Sequence, residues 1–75
     1  MAGLAVKYLV RFSAADLRWN VYRGGAAFGF ARKMEKAIQN AVRAASQEAA
    51  TTDLAVTVWL EERLRKYRKV WPEES

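Results

Sequence analysis

The chain has 75 residues, 52% of them hydrophobic, with 13 Lys and Arg against eight Asp and Glu, for a formal net charge of +5. It contains no Cys and no His, which excludes disulfides, the usual zinc sites and the common Cys- or His-based catalytic pairs. This length fits one small domain over residues 1–75, α+β by the order of elements below, with a marginal core, because so short a chain buries only about 60% of its unfolded surface. The last few residues are expected to be disordered.

Val6, Tyr8, Val10 and Phe12 alternate with Lys7, Leu9 and Arg11, the period of a strand with one buried face. Ser13-Ala-Ala-Asp16 reads as a turn, since Ser and Asp bond readily to nearby backbone. Leu17, Trp19 and Val21 then alternate with Arg18, Asn20 and Tyr22, so the first two strands form a hairpin.

After Gly24-Gly25 the period changes. Phe30, Met34, Ile38, Ala41, Val42 and Ala45 recur at steps of three and four, which predicts an amphipathic helix from about Ala31 to Ala49. No Ser, Thr, Asp or Asn stands where an N-cap belongs. Thr51-Thr52-Asp53 ends the helix. Leu54, Val56, Val58 and Leu60 alternate with Ala55, Thr57 and Trp59 in a third strand.

Residues 61–71 fit two descriptions. As a strand they give no consistent face. As a helix, Leu60, Leu64, Tyr67 and Trp71 make one stripe, with Glu61 and Glu62 at the start and Lys66, Arg68 and Lys69 near the end, as the helix dipole favours. The reading is a second helix over about Glu61 to Val70, stopped by Pro72.

The predicted plan is therefore ββαβα: a three-stranded antiparallel sheet of order 3-1-2, the most apolar strand in the centre. The long helix covers the face made by Val6, Tyr8, Val10, Trp19, Val21, Val56 and Val58.

Trp19-Asn-Val21, Ala37-Ile-Gln-Asn-Ala41 and Leu54-Ala-Val56 follow one another in an order that resembles a family of small bacterial domains of uncharacterised function. That family has a Trp-x-Val strand, an Ala-Ile-x-x-Ala helix and a Leu-x-Val strand. The resemblance spans about Leu17 to Val58. It implies a fold and brings no activity. The chain departs from the family's Thr helix cap, and from its Gly turn into a further strand, where Glu61-Glu-Arg-Leu-Arg65 stands.

No residues suggest catalysis. The hydroxyl side chains lack a neighbouring base, and the carboxylates read as turn or helix-start residues, so the expectation is a protein that is not an enzyme and carries no metal or cofactor. No stretch reaches the ~20 apolar residues of a spanning helix. Lys7 and Arg11 interrupt the apolar start, unlike a secretory signal. A cytoplasmic protein without membrane contact is expected.

The positive charge favours anionic partners. Eight basic and three acidic side chains fall in residues 1–50, and five of each in residues 51–75. Gly24-Gly-Ala-Ala-Phe-Gly29 matches neither a Walker loop nor a dinucleotide fingerprint. It reads as a connector into the helix, the minority alternative being an anion site at Gly29 to Lys33.

The sharper candidate is the second face of the sheet, where Tyr22 and Trp59 stand among Lys7, Arg11 and Arg18. Exposed aromatics among cations are how several RNA-binding modules stack bases. Adding the flanking cations gives a candidate nucleic-acid-binding set of Lys7, Arg11, Arg18, Tyr22, Arg32, Lys33, Trp59, Arg63 and Lys66. The alternative is a protein-interaction or homodimerising domain anchored by Tyr22, Trp59 and Trp71. Where the second helix lies decides whether that face is open.

Overall fold

The computed structural model describes residues 4–73. The prediction for the chain's last residues falls partly on residues 74 and 75, outside the described ones. The elements are β1 (Ala5–Ser13), β2 (Arg18–Arg23), β3 (Ala26–Ala31), α1 (Met34–Thr51), β4 (Ala55–Arg63) and β5 (Lys66–Trp71). The five strands form one sheet of order β3-β2-β1-β4-β5. β1 runs parallel to β4, and the other neighbours are antiparallel.

The structure thus corrects the predicted three-stranded antiparallel sheet with two helices. It is a mixed sheet of five strands with one helix. The first strand is central and flanked by the two strands named for it, but the chain gains a strand on either side of the helix. An uncounted β3 reverses the chain once more before the helix, and so turns β4 parallel to β1.

β3 begins inside the expected connector and runs on to Ala31, where the helix was expected to start. Gly24 and Gly25 take φ of +58° and +86°, and Arg23 pairs with Ala26 across them. Positive φ at both central residues is what a two-residue hairpin turn requires, and glycine adopts it without strain. Gly29 and Phe30 belong to β3, so the glycines do not open the helix. The helix starts at Met34, and its N-cap is Lys33, extended and without a side-chain cap.

The second predicted helix is the end of β4, a turn and β5. Two irregularities, at Val58/Trp59 and Glu61/Arg63, break the period-two signal of this hairpin. Its turn has no glycine. Arg65 instead holds φ at +64°, and its N–H donates to the Glu61 carboxylate at 3.3 Å. The charges that mimicked a helix dipole are partners elsewhere in the sheet: Arg68 Nε donates to Glu62 Oε1 at 2.8 Å, and Arg11 Nε meets Glu61 Oε1 at 2.9 Å.

The predicted helix-covered face is present. Tyr8, Val10, Val21, Val56, Val58 and Leu60 are buried beneath α1, with Val6 and Trp19 packed at the margin. Ala37, Ala41 and Ala45 have no exposed surface, and Met34, Ile38 and Val42 flank them. These alanines recur every four residues, so one line of small side chains lets the helix settle closely on the sheet. The Ser13–Asp16 turn also forms as predicted: Ser13 Oγ accepts from Asp16 N–H at 3.3 Å.

One polar clamp ties the layers together. Tyr8 OH donates to Glu48 Oε1 at 2.7 Å, and Arg23 Nε donates to the same oxygen at 3.1 Å while its Nη2 engages Oε2. The hydrogen bond from Arg23 is the main cause that lowers the Glu48 carboxyl to about 2. Burial is the main cause that raises the Tyr8 phenol. A carboxylate depressed on folding stabilises the folded chain above the ordinary carboxyl value of about 4.3 and loses that contribution as pH falls toward 2. The melting temperature of the natural chain should therefore fall more steeply between pH 5 and 2 than that of Glu48→Gln, both followed by circular dichroism. Equal slopes would show that the clamp does not stabilise the fold.

The two sheet edges differ. β5 carries Lys66, Arg68 and Lys69, while β3 carries no charge and leaves Phe28 and Phe30 half exposed. Among the described residues no helix is long and apolar enough to cross a membrane, and no cluster of three acidic side chains is placed to hold a metal ion.

Candidate functional site

The register of the sheet sets which side chains point away from α1. Leu9 of β1 pairs with Tyr22 on one side and Trp59 on the other, so these three form one row across the centre. The next row holds Arg11 with Asn20 and Phe30 toward one edge, and Glu61 with Tyr67 toward the other. Lys7 and Thr57 pair at the opposite end. Among the described residues no element lies over this face. The second helix that would have covered it is part of the sheet.

The face bears a groove of about 660 Å³, lined by Lys7, Leu9, Arg11, Tyr22, Trp59 and Tyr67. Gly24 and Gly25 border it at one end. A Cβ added at either glycine would meet nothing within 4 Å, so that end is unobstructed.

The aromatic rings are held by neighbours on their own strands. Trp59 Nε1–H donates to Thr57 Oγ1 at 2.9 Å. Asn20 Nδ2 donates to the Tyr22 hydroxyl at 3.4 Å, and Arg18 Nε donates to Asn20 Oδ1 at 3.0 Å. Residues two apart on a strand share a face, which is why these bonds run along the strand. The Arg18 guanidinium lies 3.9 Å from the centroid of Phe30, and Lys7 Nζ lies 5.7 Å from that of Trp59. Both distances fall within the range of cation–π attraction.

Two carboxylates stand among these cations: Asp16, whose Oδ2 lies 3.9 Å from Arg18 Nε, and, beside Arg11, Glu61. The Glu61 side chain is 8% exposed and is satisfied by Arg11 and by the Arg65 backbone. Arg11 is thereby held in place, half of its side chain still exposed.

Of the nine predicted site residues, the structure brings Lys7, Arg11, Arg18, Tyr22 and Trp59 onto one face. Arg32 joins Arg18 and Phe30 around a smaller hollow at the β3 edge. Lys33 stands at the N-cap position of the helix without a side-chain cap, and Arg63 and Lys66 pair beside the β4–β5 turn, away from the central row. Trp71 pairs with Val58 and packs against the core, on the opposite face from Tyr22 and Trp59, so these three do not form one interface. Phe30 and Tyr67 are absent from that set because Phe30 reads as the connector residue that begins the helical period, and Tyr67 as part of a second helix. The signal that could have found Phe30 was the Gly24-Gly25 dipeptide, a hairpin turn that implies a strand after it.

No protein-family model, curated protein or solved structure matches this chain.

Proposed function

We propose that this chain is a small binding module for nucleic acid, rather than an enzyme, and that it uses the uncovered face of its sheet. The observation that carries this reading is the central row Tyr22–Leu9–Trp59, open on the side away from the helix and bordered by Lys7 and Arg11. Aromatic faces offer stacking to bases, and cations beside them offer contacts to phosphate. The net charge of +5 supports the same class of partner.

Binding driven by phosphate contacts releases counterions and weakens with salt. With about three contacts to a flexible strand, raising salt fourfold from about 50 mM should lower affinity by roughly twentyfold. Fluorescence anisotropy of a labelled mixed-sequence RNA or DNA oligomer measures this. Absence of binding at low salt would sink the proposal.

A further inference from the structure

We infer that the ligand of this face is single-stranded, with unpaired bases stacked on Trp59 and Tyr22 and little discrimination between base types. The inference rests on the nucleic-acid reading above and narrows it.

The polar handles of the two rings are engaged within the sheet. The Trp59 N–H is given to Thr57, and the Tyr22 hydroxyl accepts from Asn20. What these bonds leave for a ligand is ring surface, which on Trp59 is bordered by Lys7 Nζ 5.7 Å from its centroid, and the O–H donor of Tyr22. Ring surface is the part that every base can stack on and the part that does not read base edges. In a duplex the faces of the bases are hidden inside the stack, so a platform of this kind engages only unpaired ones.

The spacing agrees. Tyr22 and Trp59 stand two strands apart with Leu9 between them, which separates their backbones by about 10 Å. Leu9 gives an apolar floor on which a base loses no hydrogen bond. Lys7 and Arg11 lie on β1 on either side of Leu9, about 13 Å apart along the strand. Two cations along one line suit a single phosphate backbone, and half of the Arg11 side chain stays exposed although it pairs with the buried Glu61. The bare Gly24-Gly25 turn leaves one end of the groove clear for a strand to pass, and the exposed Tyr67 stands toward the other.

The test compares four labelled probes of roughly twelve nucleotides by anisotropy at low salt: single-stranded RNA, single-stranded DNA, a hairpin duplex, and an abasic DNA strand of equal charge. At least one of the two single strands should bind about tenfold more tightly than both the duplex and the abasic strand. Trp59→Ala and Tyr22→Leu should each weaken that single-strand binding about tenfold, and Trp59→Phe, which keeps a ring, by less than about threefold. The abasic comparison uses the natural chain and so does not depend on any variant folding. Equal affinity for the duplex or the abasic strand would overturn the inference while leaving the nucleic-acid reading in place. No binding to any probe would remove both.

Discussion

Leu60→Ala is expected to destabilise the chain by about 3 kcal/mol, the largest loss from any single truncation proposed here. Leu60 is 2% exposed and among the largest side chains buried in the core. It pairs with Val10 across the parallel β1–β4 ladder, where both side chains face the helix. Removing it opens a cavity that flanking strands, held by their hydrogen bonds, cannot readily fill. A chain of this length has a stability of about 4–11 kcal/mol, so the variant loses a large share of it. Urea unfolding followed by tryptophan fluorescence should show the midpoint falling by about 2–3 M, for an m-value near 1 kcal/mol/M. A loss below about 1 kcal/mol would show that the layers do not pack tightly at this position.

Adding volume beneath the helix should be damaging too. Ala41→Leu keeps high helix propensity and adds hydrophobic surface, so in a helix facing solvent it would be nearly neutral. Here Ala41 has no exposed surface and stands midway in the line Ala37–Ala41–Ala45 that brings α1 onto the sheet. Three extra carbons have to lift the helix or force neighbours out of their rotamers, a cost of about 1–3 kcal/mol. Gln39→Leu, on the exposed side of the same helix, is the control and should stay within about 0.5 kcal/mol of the natural chain. A stability for Ala41→Leu equal to that of the control would show that the helix does not sit on its alanines.

These two residues also mark what was legible in the sequence. The alternation through Val6, Tyr8, Val10, Trp19, Val21, Val56 and Val58 gives the helix-covered face correctly, because a half-buried strand has no other way to satisfy period two. It gives the other face by subtraction, which is why Lys7, Arg11, Arg18, Tyr22 and Trp59 could be grouped. β3 was hidden because Phe30, Met34 and Ile38 happen to stand four apart and continue the helical stripe into a strand. β5 was hidden because the turn before it replaces glycine with Arg65, stabilised by a hydrogen bond to Glu61 that local propensity does not encode. The site followed the fold: Phe30 and Tyr67 join the open face only once their strands are counted.

The uncharged β3 edge bears on how the molecule behaves in bulk. Copies carrying a net charge of +5 repel one another over a range of about 10 Å at 0.1 M salt and about 3 Å at 1 M. β5 bears its own lysines and arginine, whereas β3 has no charge within it and relies on this diffuse repulsion and on Arg18 and Arg32 beside Phe30 to keep another strand away. A high-salt wash chosen to strip nucleic acid from a preparation would therefore also screen that repulsion. At low ionic strength the charge of each copy is felt at its longest range.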